Sequence, residues 1–136
     1  LQWAVLAAHI APLYGLPPEL VIAIVYVESK GVPDAVSHAG AVGLMQIMPK
    51  EAGAQFADRP EKRWLLNPVV NMGCGCEILR NYIRYYNGDI ERGVMAYYAG
   101  PGNVPKEGEV THAGALHYLK LVTGAINKLC PGQNVL

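Results

Sequence analysis

An all-α fold is what the apolar spacing of this chain predicts. In two long windows apolar residues recur at intervals of four and three, the repeat of one helical face. The first window holds Met72, Cys76, Leu79, Ile83 and Tyr86, and the second Ala115, Leu119, Val122, Ile126 and Leu129. Eight consecutive apolar residues, Leu20 to Val27, follow the helix-opening pair Pro17-Pro18. No alternating strand pattern runs beyond a few residues, and no internal repeat or low-complexity linker interrupts the chain.

Each element has its own justification. Residues 2–14 are expected to form the first helix, stopped by Gly15 in the position after a helix end. Pro17 and Pro18 open the second, because proline suits the first turn. It runs to about Lys30, is apolar all round and is therefore expected to be buried, with Gly31 and Pro33 ending it. Residues 31–43 read as a loop, 48–57 as a short helix and 58–66 as a charged loop with Pro60. The long helix spans 68–86, with Cys74, Ile78, Tyr82 and Tyr85 as a second apolar face. Asn87-Gly88 is a turn, and Asp89 caps a helix reaching Tyr98. Gly100-Pro101-Gly102 breaks that helix, a loop continues to His112, and the last helix ends at Pro131-Gly132. The central element is either 68–86 or 18–30. Loops at 31–46, 57–67 and 99–112 are long for so small a domain, and loops of that length tend to be functional.

The 136 residues fit one domain with a single core, 1–136. Eleven basic and eleven acidic residues balance, and no Lys/Arg block argues for nucleic acid or an anionic membrane surface. The apolar run from Val21 to Val27 is too short to span a bilayer, so no transmembrane segment is expected. The chain opens at Leu1 without a basic leader, which reads as a piece of a larger, processed protein. Cys74, Cys76 and Cys130 leave at least one thiol without an intrachain partner. They read either as small buried hydrophobes or as a disulfide between Cys130 and one of the other two.

The chemistry centres on Glu28, which ends the apolar run fifteen residues before the loop Gly43-Leu44-Met45-Gln46. Partial burial disfavours a charged carboxyl and raises its pKa. Such a group can deliver a proton near neutral pH, as a general acid must. The structural alternative is a helix-end carboxylate paired with Lys30 or an arginine. His9, His38, His112 and His117 have no metal-ligand spacing and read as surface or satisfied core residues, although His38 sits in the loop after Glu28. Neither Ser29 nor Ser37 has a histidine placed to activate it as a nucleophile.

Glu28-Ser29, then Gly43-Leu44-Met45-Gln46, then Ala96-Tyr97-Tyr98-Ala99-Gly100 occur in that order with helices between. This arrangement resembles the soluble lytic transglycosylase family over roughly residues 16–122. The resemblance implies a lysozyme-like, two-lobed helical fold with a substrate cleft. It implies Glu28 as the single catalytic acid and base, followed by Ser29. Ser37 corresponds to a cleft serine near the reacting sugar, Gln46 to a substrate-binding glutamine, and Met45 and Met48 to apolar cleft or supporting positions. Asn71 falls at a position the family often fills with asparagine. Tyr97 corresponds to a tyrosine whose hydroxyl helps hold the catalytic carboxyl, and Tyr118 to a late tyrosine near the acid. The chain departs from the family at Tyr98, where asparagine is common, and at Gly114-Ala115, where Glu-Thr often stands.

The implied reaction is cleavage of the β-1,4 bond between N-acetylmuramic acid and N-acetylglucosamine in peptidoglycan, giving a 1,6-anhydro sugar. No metal or organic cofactor is implied. The implied setting is the cell envelope or periplasm, or a virion, with a possible assembly partner in the envelope or a phage tail. Two other readings stay open. A goose-type lysozyme would need a second carboxylate, for which Asp34, Glu51, Asp58 and Glu61 are the candidates. A catalytically silent glycan-binding module of a secretion system or phage tail would bind without cleaving.

Overall fold

The second helix sits deepest, and the reason is compositional. The structure is a computed structural model, and it describes residues 2–50, 62–133 and 135–136. Helix α1 spans Ala4–Ile10 and continues as a 3-10 turn, Ala11–Tyr14. Helix α2 is Pro18–Ser29, α3 Lys62–Leu65, α4 Pro68–Tyr85, α5 Ile90–Ala99 and α6 Ala113–Leu129. A second 3-10 turn, Pro101–Asn103, follows α5. The described residues include two isolated bridges, Val36 to Val42 and Val42 to Ile47, and no longer strand.

Two boundaries differ from the sequence reading. The first helix was expected to run unbroken over 2–14, but Pro12 lacks an amide hydrogen, and the chain tightens into the 3-10 turn there. The loop expected over 58–66 contains helix α3 at Lys62–Leu65. The short helix expected over 48–57 falls mostly outside the described residues, although 49 and 50 are helical.

The helix ends follow local chemistry. The Asn67 side chain accepts hydrogen bonds from the Val69 and Val70 amides at 2.9 and 3.2 Å, with Pro68 at the first helical position. Asp89 accepts from the Arg92 amide at 3.1 Å, as its position ahead of α5 predicted. His112 Nδ1 accepts from the Ala115 amide at 3.1 Å, so this histidine is a helix cap.

Leu20, Val21, Ala23 and Ile24 of α2 are fully buried. They join Met72, Cys76 and Leu79 of α4 and Val122 and Ile126 of α6 in one large core cluster. Each such aliphatic side chain contributes roughly 1.5–3 kcal/mol by leaving water. A smaller cluster holds Tyr86, Met95, Ala96, Val104 and Ala115. The Tyr86 hydroxyl donates to the Val104 carbonyl at 2.7 Å and ties the loop after α5 to α4. Arg92 extends from α5 to the Pro105 and Gly108 carbonyls of the same loop. All three cysteines are free thiols, and burial pushes Cys74 and Cys76 up to about 12. Those two behave as the small core hydrophobes of the first alternative, and Cys130 is part-exposed. Among the described residues no single helix is long and apolar enough to cross a membrane.

The loop at 42–47 is the least helix-like part of the core. Val42, Leu44, Met45 and Ile47 are buried in the large cluster, so their backbone polar groups need partners other than water. Asn71 of α4, itself 0% exposed, supplies them. Its Oδ1 accepts from the Met45 amide at 2.8 Å, and its Nδ2 donates to the Val42 and Leu65 carbonyls at 2.7 and 2.8 Å. Gly43 makes the close approach possible. Its φ is +80°, and a Cβ there would lie 2.2 Å from Asn71 Nδ2.

Candidate functional site

Glu28 is the penultimate residue of α2, one turn beyond the buried stretch that sinks the helix into the core. The helix ends because Lys30 and Gly31 turn left-handed, at φ 57° and 80°. Ser29 secures that end. Its Oγ donates to the Val25 carbonyl at 3.0 Å and accepts from the Gly31 amide at 3.2 Å. Ser29 is thus bonded into the helix end next to the acid.

The Glu28 carboxyl lines a cavity of about 320 Å³ with Ser37, Ala39, Ala41, Gln46, Ile47, Met48, Ile78, Tyr97 and Tyr98. Burial pushes its pKa from the ordinary 4.5 up to about 7, and a hydrogen bond from Tyr118 opposes part of that rise. The Tyr118 hydroxyl donates to Glu28 Oε2 at 2.8 Å. Tyr118 is itself buried, and its pKa stands well above 10, raised first by burial and then by the Glu28 charge. The phenol therefore stays protonated and keeps donating across the neutral range.

The tyrosine roles differ from the expectation. A hydroxyl has one proton to donate. That of Tyr97 goes to the Met45 carbonyl at 2.7 Å, so Tyr97 fastens α5 to the 42–47 loop and the donor to the acid is Tyr118. Tyr97 still lines the cavity. Tyr98 stacks on Tyr118, with ring centroids 4.7 Å apart and planes 10° from parallel.

Met45 needs a correction as a substrate-binding residue. It is 0% exposed and absent from the cavity wall. Its side chain fills the space over Gly75, where a Cβ would come within 2.4 Å of its sulfur. Its function is to seat the loop from beneath. Met48 does reach the cavity wall, as does the exposed Ser37. The Ser37 hydroxyl accepts from the Ala41 amide at 3.0 Å, which fixes its side chain at the rim. Gln46 holds φ at 52°, a left-handed conformation costing about 1 kcal/mol for a non-glycine residue. Its own amide compensates, donating to the Ala35 and Gly43 carbonyls at 3.2 and 3.1 Å. That leaves the Gln46 carbonyl oxygen for the cavity.

Sequence reasoning did not single out Ile47 or Ile78 as wall residues. The only signal was the second apolar face of the long helix, on which Ile78 lies. The alternative pairing of Glu28 with Lys30 does not describe the structure. Lys30 Nζ lies over the Tyr26 ring, 4.9 Å from its centroid, and the partner of the carboxyl is Tyr118. Among the described residues no second carboxylate lines the cavity. Asp34 is exposed and off its wall, and Glu51, Asp58 and Glu61 lie outside the described residues. No cluster of three His, Cys, Asp or Glu side chains among the described residues could hold a metal ion.

A neutral carboxyl facing a walled cavity, with a phenol ready to stabilise its anion, can give up a proton and take one back. Comparisons with known proteins place the chain in a family. The chain is 39% identical over 80 residues to membrane-bound lytic murein transglycosylase C of Actinobacillus pleuropneumoniae, a match covering 54% of the chain and 22% of that protein. It is 31% identical over 134 residues to membrane-bound lytic murein transglycosylase E of Buchnera aphidicola, covering 90% of the chain and 61% of that protein. A transglycosylase of Enterobacteria phage PRD1 is 34% identical over 100 residues, covering 74% of the chain and 36% of that protein. The chain thus spans only part of these relatives. Among solved structures, an inactive variant of lytic transglycosylase Slt from Pseudomonas aeruginosa superposes with a TM-score of 0.79 at 26% identity, over 96% of this chain and 25% of that one. The all-α, lysozyme-like fold is shared with it. The model of the transglycosylase SLT domain matches residues 6–117, most of the chain. The chain belongs to the transglycosylase SLT domain family.

Proposed function

We propose that this domain is a peptidoglycan lytic transglycosylase, cleaving the β-1,4 bond between N-acetylmuramic acid and N-acetylglucosamine. The observation that carries the reading is Glu28 itself, a carboxyl raised to about 7 on a cavity with no second described carboxylate. In this reading one carboxyl acts as both acid and base. Burial keeps it protonated for the first half of the reaction. Tyr118 stabilises the anion produced in that half.

In the first step Glu28 gives its proton to the glycosidic oxygen, and the bond from that oxygen to C1 of the muramoyl sugar breaks. The substrate's N-acetyl oxygen stabilises the cationic C1, a substrate-assisted route that needs no protein nucleophile. In the second step the Glu28 carboxylate removes the proton of the same sugar's 6-hydroxyl, whose oxygen bonds to C1. The product is the 1,6-anhydro sugar, and Glu28 is again protonated. Ser37 and the Gln46 carbonyl oxygen line the cavity where the N-acetyl group and neighbouring hydroxyls would lie. Met48 and Ile78 offer apolar wall to the sugar faces.

Residues 1–136 act in this reading as one cleaving unit. Peptidoglycan as substrate and the cell envelope as location are supported by the murein transglycosylases among its relatives. The phage relative keeps a virion-associated role within the same chemistry. The test is to incubate the domain and a Glu28→Gln variant with purified peptidoglycan and weigh the released fragments. Fragments one water lighter than hydrolysis products, absent with the variant, are expected. Full-mass reducing-end fragments make the domain a hydrolase instead, and products that persist undiminished in the variant remove Glu28 from the chemistry.

A further inference from the structure

Tyr98 has a geometry that neither core packing nor the proton relay requires. It is 57% exposed, large and aromatic, and it lines the same cavity as Glu28. One face of its ring is covered by the near-parallel ring of Tyr118 at 4.7 Å. The exposed area therefore belongs to its other face and its edges. Tyr118 is in turn fixed by its hydrogen bond to Glu28. The outer ring is thus held flat at a set position relative to the carboxyl, and an already ordered side chain loses little freedom when something packs on it.

The space beside the ring is bounded by Gly114 and His112. A Cβ at Gly114 would lie 3.6 Å from Tyr98 Cε2 and only 3.1 Å from His112 Cε1. A Cβ at 114 would press on the histidine that caps α6 and sit in ordinary contact with the Tyr98 ring. The two departures from the family pattern, Tyr98 and Gly114, therefore touch the same small volume.

We infer that Tyr98 is a stacking platform for a pyranose ring, a residue that sets glycan affinity and specificity at the mouth of the Glu28 cavity. A sugar ring presents a face of axial C–H groups, weakly positive and apolar. A phenol ring presents a broad apolar face with negative quadrupole charge. The two match in shape and sign, and the adjoining polar groups of Ser37 and Gln46 line the cavity beside them. The ligand class is a β-1,4-linked N-acetylhexosamine strand, so the inference rests on the glycan-cleaving reading above.

The test has a binding arm and a cleavage arm. In a Glu28→Gln background, which blocks turnover, calorimetry measures the affinity of a soluble N-acetylglucosamine oligomer for the Tyr98 parent, Tyr98→Ala and Tyr98→Phe. Loss of the ring is expected to weaken binding about tenfold, and phenylalanine to restore it to within about twofold. With Glu28 intact, the Tyr98→Ala loss is expected in KM, with the pH dependence of cleavage unmoved. Tyr98→Leu keeps apolar cover on Tyr118 without a flat face, so it serves if the alanine variant does not fold.

Equal affinity in the ring-deleted variant overturns the platform while leaving the enzymatic reading intact. A loss confined to kcat with a displaced pH profile also overturns it, since Tyr98 would then only brace Tyr118. Ring-dependent binding without any cleavage by the parent keeps the platform and removes the activity. A parent that neither binds nor cleaves overturns both.

Discussion

Replacing Tyr118 by phenylalanine removes one hydroxyl from the site and, with it, the hydrogen bond to Glu28. The hydroxyl proton is donated to Glu28 Oε2 over 2.8 Å. It stabilises the carboxylate over the neutral acid, so it holds the Glu28 pKa below where burial alone would set it. A hydrogen bond to a charged group contributes roughly 1.5–3 kcal/mol, and each pKa unit corresponds to about 1.4 kcal/mol. Loss of the bond should therefore raise the pKa by about one to two units. From about 7 in the parent, Glu28 would move to roughly 8–9. In the proposed reaction cleavage requires the protonated acid, so kcat/KM is expected to fall as pH rises through that pKa. The alkaline limb of the pH–rate profile should shift upward by the same amount in Tyr118→Phe. A carbon-13 titration of the Glu28 carboxyl, which needs no activity, should report the same displacement. The sign is the strict part. A limb that stays in place, or moves to lower pH, would mean that Tyr118 does not stabilise the anion, and the division of labour between burial and phenol would fail.

Two further predictions concern stability. Glu28 has a folded pKa of about 7 against an ordinary 4.5, so the native fold is favoured while the group is protonated and loses that advantage as pH rises through 7. Glu28→Gln removes the titration. Its stability relative to the parent should grow by about 3 kcal/mol between pH 4 and pH 8 in urea unfolding, and a pH-independent difference would contradict the buried-acid assignment. Asn71→Ala strands the Met45 amide and the Leu65 carbonyl and leaves the Val42 carbonyl only its bond from the Ile47 amide. The expected cost is about 3–5 kcal/mol, or a fall of roughly ten degrees in thermal midpoint; less than 1 kcal/mol would show that water or a shifted loop replaces the side chain.

Helices α2, α4, α5 and α6 were legible because their signals are local. The four-three spacing over Met72, Cys76 and Leu79 states which face is buried, and the structure buries all three. Asp89 announces α5 because a cap acts within three residues of itself. Pro12 marks the end of α1 by an equally local effect, since it has no amide hydrogen to donate to the preceding turn. What periodicity does not encode is a partner far away in sequence. Tyr118 is 90 residues from Glu28, and Tyr97 is 52 from the Met45 carbonyl. Nothing in either tyrosine's neighbourhood states which hydroxyl reaches the acid.

The 42–47 loop carries the same lesson into the site. Its sequence reads as a turn because Gly43 permits one, yet Val42, Leu44, Met45 and Ile47 are as buried as any helix residue. A buried loop is stable only if something satisfies its backbone, and here Val42 and Ile47 pair with each other while Asn71 of α4 takes the Met45 amide. The consequence is a division along the loop. Leu44 and Met45 face inward and fix its depth, Asn71 fixes its height, and Tyr97 ties it to α5. Gln46 turns back toward the cavity, beside Ile47, in a left-handed conformation that its own amide stabilises. The position of Gln46 in such a site depends on Leu44, Met45 and Asn71, which do not line the cavity. A variant of Met45 or Asn71 should therefore alter glycan affinity through the position of Gln46.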